Sequence, residues 1–300
     1  MRRTLMLLLS CLAIQVMSVA EPARDKDVVI TISVDRDVIL PCEPLGVAVV
    51  LKNKSGNVIE KTGSQWTSFR IKKEGEGENW NSYMGCGLHV LLGPPRKLKL
   101  LSGQSFEDIC LIHVNSNDEP VFKNPGVYYV QSGTPFGESE AIRIMVKIPE
   151  LSADIVEPMY NKKLFMLFDE YTAEYFLGKS RNIDNISKDL NDFRESLGSA
   201  PYLSWIIFGE FILKKTKIDH QEALKKNDSF DRLIEEYESV AEKLPSPQKE
   251  NLILAMASIQ IDQGRKSEAL DILRKIISTH TDGYFKIKAI SRLMHIRNLQ

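Results

Sequence analysis

Chemistry-bearing side chains are thinly scattered along this 300-residue chain. The five histidines, His89, His113, His220, His280 and His295, include no pair at the helical spacing that sets two imidazoles around one zinc ion. No serine stands in a glycine-flanked nucleophile elbow, and no glycine-rich loop is spaced to cradle phosphate. Cys11, Cys42, Cys86 and Cys110 fit neither a paired-cysteine zinc site nor a redox motif. Two adjacent carboxylate pairs, Asp169 with Glu170 and Glu235 with Glu236, fall in helical patterns, where a solvated face is the expected setting rather than acid-base work. The sequence therefore assigns no catalytic, cofactor-binding or metal-ligating residue and implies a non-enzyme without cofactors. A hydrolase whose site is assembled from distant residues stays open as an alternative.

The elements that hold these residues follow a targeting segment. Residues 1–20 read as a secretory signal peptide: Arg2 and Arg3 form a positive start, residues 5–16 are mostly apolar, and Ser18 and Ala20 offer a peptidase the small side chains it needs. The mature chain is then expected to begin at Glu21, in an extracytoplasmic compartment, periplasmic or secreted, with no stable membrane insertion. A lipoprotein cysteine at Cys11 is disfavoured, because apolar sequence continues past it. Removal of Cys11 leaves Cys42, Cys86 and Cys110, an odd set that permits one disulfide at most, and buried free thiols account for them equally well.

Hydrophobic residues make up 43% and charged residues 26%, the proportions of a folded globular protein. A net charge of -1 gives no electrostatic case for nucleic acid or an anionic membrane.

Between residues 27 and 148 the pattern is one of short strands broken by turns. Candidates lie at 28–34, 45–52, 65–72, 89–92, 106–114, 127–131 and 141–148, with turn residues at 53–57 and 102–104. Asn124, Pro125 and Gly126 make a tight turn before Tyr128, as a tyrosine corner requires. This order predicts an all-β sandwich of immunoglobulin-like topology. From Glu43-Pro44 with residues 47–50, and from residues 101–104 with 125–128, the region resembles bacterial extracytoplasmic immunoglobulin-like domains. Domains related to the intracellular proteinase inhibitor family share that order, so the resemblance implies an inhibitor or ligand-binding role for the sandwich loops.

Residues 149–158, bracketed by Pro149 and Pro158, read as a linker, although a last strand running on also fits. Residues 159–300 then read as an all-α domain. Leu164, Phe165, Phe168, Tyr171 and Tyr175 share one helical face; Ile183, Ile186, Leu190, Phe193 and Leu197 share another. Residues 202–213 are apolar on most sides and predict a central buried helix, in which Gly209 marks a close contact. The pairs Lys214-Lys215 and Lys225-Lys226 read as solvated ends. Over residues 246–277 two helical stripes meet around Ala257, Gly264 and Ala269, a pattern that resembles a tetratricopeptide repeat and implies a docking surface. A plain antiparallel helical bundle accommodates the same spacing.

The combined expectation is a multidomain protein, an immunoglobulin-like sandwich followed by a tetratricopeptide-like helical domain. Its expected role is that of an exported, non-enzymatic interaction or scaffold protein with a protein partner and no nucleic acid. A ligand-binding or inhibitor module acting through the sandwich is the alternative.

Overall fold

The computed structural model describes residues 27–63, 67–77, 80–83, 96–115, 117–147, 153–179, 183–197, 201–219, 223–280 and 283–298. The expected signal peptide with Cys11 and Glu21, the strand at 89–92 with His89, and also Cys86, His220 and Pro149 lie outside them.

The strands are β1 (Val28–Val34), β2 (Val38–Ile39), β3 (Leu45–Asn53), β4 (Ile59–Gly63), β5 (Ser68–Lys73), β6 (Asn81–Tyr83), β7 (Arg96–Leu100), β8 (Ser105–Ile112), β9 (Gly126–Thr134), β10 (Gly137–Glu138) and β11 (Ile142–Val146). Strand β3 is the keystone. Side chains alternate across a strand, so Leu45, Val47, Val49 and Leu51 point one way, into a core shared with Phe69, Ile71, Val130 and Ile144. The register pairs Val47 with Val34 of β1 and with Cys110 of β8. The result is an antiparallel sheet of order β1-β3-β8, facing a second sheet of order β2-β11-β9-β5-β6. Strands β4 and β7 form a separate two-stranded ribbon.

The helices are α1 (Ala153–Asn161), α2 (Glu170–Lys179), α3 (Ile183–Leu197), α4 (Leu203–Asp219), α5 (Ala223–Ala241), α6 (Gln248–Asp262), α7 (Lys266–Thr279) and α8 (Tyr284–Asn298), with a 3-10 turn at Leu164–Phe168. Helix α4 is buried on most sides through Trp205, Ile206, Phe208, Phe211 and Ile212. Gly209 lets it approach the 3-10 turn: a Cβ there would lie 3.1 Å from Leu167 Cβ. Ala257 of α6 and Ala269 of α7 are fully buried in one apolar cluster. Among the described residues no helix is long and apolar enough to cross a membrane.

This arrangement overturns the expected fold class. The sheets are not a pure antiparallel sandwich, because β2 pairs parallel to β11 and so makes the larger sheet mixed. Nor do an all-β unit and an all-α repeat stand apart; the chain forms one mixed α/β fold. The physical reason lies on the outer face of β3, where Gly46 and Ala48 stand in place of bulky residues. Tyr284 of α8 fills that space, and a Cβ on Gly46 would come within 2.7 Å of its ring. Ala48 joins the apolar cluster of α6, α7 and α8, while Cys42, just before β3, joins that of α1 to α6. The expected linker differs too: its second half lies in α1, which continues to the fully buried Met159.

Candidate functional site

Two places gather polar chemistry. The first lies between the sheets and the helices, with most of its charged groups half-buried. The turn from Asp35 to Pro44 enters α4 territory, where Arg36 donates to Asp35 Oδ2 at 2.9 Å, to Glu43 Oε2 at 3.3 Å and to the Pro44 carbonyl at 2.7 Å. The Trp205 indole N–H donates to Glu43 Oε1, and the Tyr202 hydroxyl donates to the Pro41 carbonyl at 3.0 Å. Phe168 stacks on Trp205 at 5.4 Å between centroids.

Behind this aromatic wall lie Asp169, Glu170, Lys215, Lys288 and Arg292. Lys215 reaches Glu170 Oε1 at 3.0 Å and Arg292 reaches Oε2 at 3.4 Å. Asp169 caps α2, its Oδ2 accepting from the Thr172 N–H and hydroxyl, each at 2.8 Å. Lys288 donates to Asn251 Oδ1 at 3.2 Å. Asp35, Asp169, Glu170, Asn251 and Lys288 line a void of about 10 Å³ together with Trp205 and Phe208. Asp35 Oδ1 has no hydrogen-bond partner.

Burial dominates the protonation of these groups. Desolvation raises the Asp35 carboxyl to about 6, against the pull of Arg36. It raises Asp169 and lowers Lys288, with Arg292 adding repulsion at Lys288. Burial also pushes Glu170 upward, but Arg292 and Lys215 together outweigh it and hold the carboxyl low. Shifted acids and a shifted lysine are the ingredients of proton transfer. The space is not: about 10 Å³ is the room of roughly one water, so no organic substrate fits among them.

The second place is open. A cleft of about 320 Å³ runs between β5 and β6 on one side and residues 115–124 on the other, at the small end of the range of roughly 300 to 1,000 Å³ for ligand pockets. Ile71, Val121 and Pro120 give it an apolar floor; Asn81, Ser82 and Asn124 line its rim. Its two tyrosines are held from behind, Tyr128 by a 2.8 Å bond from its hydroxyl to the Asn124 carbonyl and Tyr83 by contacts of 3.3 and 3.4 Å to the backbone of His113 and Leu111. Lys73 and Glu76 form an ion pair at 3.3 Å at its mouth. Strand β6 ends the larger sheet and pairs with β5 among the described residues.

Of the residues weighed from sequence, Asp169 and Glu170 are half-buried with partners rather than a solvated pair, and Lys215 is buried beside them, unlike exposed Lys214. Helix α2 starts beneath α4 and α8, which turns its first residues inward. Glu235 and Glu236 are exposed, as expected. His113 is fully buried with neither ring nitrogen hydrogen-bonded, and desolvation lowers it to about 3. Cys42 and Cys110 are buried free thiols. Among the described residues no group of three or more His, Cys, Asp or Glu side chains is placed to hold a metal. Sequence reasoning missed Asp35, Lys288 and Arg292. The one signal, for the latter two, is the spacing of Tyr284, Lys288 and Arg292, which repeats every fourth residue and so puts two cations on the inner stripe of α8.

No protein-family model and no curated protein matches the chain. Among solved structures, a β-glucosidase from Listeria innocua in complex with gluconolactone is 15% identical over 40% of this chain and 16% of its own, with a TM-score of 0.28. The alkylpurine DNA glycosylase AlkC of Pseudomonas fluorescens is 11% identical over 41% of this chain and 31% of its own, at 0.30. The sporulation control protein Spo0M of Bacillus subtilis is 10% identical over 45% of this chain and 56% of its own, at 0.27. The chain spans less than two thirds of each of these proteins, and likenesses this slight carry no functional argument.

Proposed function

We propose that this chain is an exported, non-enzymatic interaction protein that meets a protein partner through the open cleft of its sheet region, with the helices acting as the frame that fixes it. The observation that carries this reading is the contrast in room. The shifted acids and lysine share a void of about 10 Å³, whereas the 320 Å³ cleft is walled by rings and amides that suit recognition. The side-chain amides of Asn81 and Asn124 and the Ser82 hydroxyl line it without a protein partner among the described residues. The apolar stripes of α6, α7 and α8 pack on one another and on β3. The near-neutral charge supports a protein rather than nucleic acid as partner.

A photo-crosslinking residue placed at Asn81, in the cleft, and separately at Lys266, on α7, tests the reading in the exported fraction. A defined adduct at Asn81 and none at Lys266 is expected. An adduct at Lys266 alone moves docking to the helices, and its absence at both positions refutes the interaction role.

A further inference from the structure

At one end of the sheet region, where Ile59, Leu98 and Leu100 of β4 and β7 join the sheet core, the surface is unusual. Buried Asn53 clips two turns together there: its side-chain amide donates to the Asn57 carbonyl at 2.8 Å and to the Leu100 carbonyl at 3.0 Å. The Gly103 N–H donates to the Asn53 carbonyl at 2.9 Å, and the Ser102 hydroxyl donates to the Ser55 carbonyl at 2.6 Å. The ribbon of β4 and β7 enters this clip through the buried pair Ile59 and Leu100. Val58 and Leu101 stand one residue beyond that pair, so alternation turns them outward. They are 50% and 51% exposed, the two highest values among the large hydrophobics of the described residues. Val29, 37% exposed, is directly opposite Lys52 on the adjoining outer face.

Cations surround these aliphatic groups. Lys52 and Lys54 flank the clip, and Lys97 and Lys99 line the exposed row of β7. Lys97 pairs with Glu60 at 3.3 Å and Lys99 stands directly across the ribbon from the same Glu60, whereas Lys52 and Lys54 have no ion pair among the described residues. Free lysines around an apolar tip match the two layers of an anionic bilayer, phosphate outside and hydrocarbon beneath. The net charge of -1 conceals this local excess.

We infer that this clipped tip is a peripheral contact for an anionic lipid surface, with Val58 and Leu101 entering the headgroup layer and Lys52 and Lys54 binding lipid phosphates. The contact is shallow and reversible, and it is independent of the cleft. It would hold a partner-binding protein against a membrane while leaving β6, on the other sheet, free.

Vesicle flotation tests it, using the chain freed of residues 1–20, with vesicles of phosphatidylcholine alone or mixed with phosphatidylglycerol. Binding is expected only to the mixed vesicles, with release by salt. The double change Val58→Asp and Leu101→Asp, and separately Lys52→Glu with Lys54→Glu, should each lower partitioning by about tenfold or more. Thermal melts should stay near the parent, because all four positions are exposed. Lys188→Glu on α3 should bind like the parent. Equal binding to neutral vesicles, no binding to either, or undiminished binding by both tip variants overturns the inference. Binding to polyglutamate without binding to vesicles overturns it in favour of an acidic polypeptide.

Discussion

The inner charge cluster and the open cleft are built from similar residues, carboxylates, lysines, aromatic rings and amides, yet the difference in room and solvent access gives them opposite roles. In the cluster, desolvation raises the Asp35 and Asp169 carboxyls and lowers Lys288, and Glu170 is held by Lys215 and Arg292 from two other helices. In the cleft, the Lys73–Glu76 pair is partly bathed in water and its side chains have freedom to rearrange around a ligand. A shifted pKa therefore marks burial before it marks function, and it becomes a candidate for catalysis only where a substrate also fits.

The sharpest way to break this comparison is to remove the centre of the cluster. Glu170→Ala leaves Lys215, Lys288 and Arg292 without their shared carboxylate and should cost about 3 to 5 kcal/mol, read as a lowered denaturation midpoint. If it is tolerated, the cluster is wetter than described. Next comes pH. His113 is neutral when folded, so stability falls as pH drops from its unfolded value of 6.5 toward about 3, by about 2 kcal/mol at pH 5. Asp35 acts oppositely: its raised value of about 6 means the folded state binds the proton more tightly, so stability rises as pH falls from 6 toward 3.8, by about 1 kcal/mol at pH 5. The two oppose each other, leaving a net loss of about 1 kcal/mol at pH 5. His113→Leu should expose the acid-stabilised limb and Asp35→Asn the acid-labile one, both visible in denaturant titrations at several pH values.

Gly46→Ala should cost about 1 to 3 kcal/mol, since the new methyl meets the Tyr284 ring, and Tyr284→Ala in the same chain should relieve part of that clash in a double-mutant cycle. The smallest effect belongs to the cleft. Glu76→Ala should change stability by no more than about 0.5 kcal/mol while altering crosslinking at Asn81. An effect on folding larger than that of Gly46→Ala would erase the distinction between the two regions.

Much of the secondary structure was legible from periodicity. The strand at β3, the all-round burial of α4, the close contact at Gly209 and the tight turn before Tyr128 all follow from local pattern. The assembly was not legible, because it depends on what the outer face of β3 lacks. Gly46 and Ala48 read as unremarkable members of a valine-rich run, and only Tyr284, far along the chain, gives their smallness a purpose. The same distance hides the cluster. Asp169 and Glu170 look like any exposed helical start until α8 brings Lys288 and Arg292 over them. The cleft joins residues from 71 to 128 and has no compact sequence signature at all.

Cys42 sits where the sheet region and the helices meet, its thiol buried against α1 to α6 and pushed by desolvation up to about 12. At neutral pH such a sulfur is neither ionised nor reachable, so oxidants and alkylating reagents act on it only in the moments when helices lift from the sheets. The rate of its modification is then a clock for that parting, built into the native chain. Slowed by a ligand in the cleft, it would report that a binding event on one side of the molecule tightens the joint on the other.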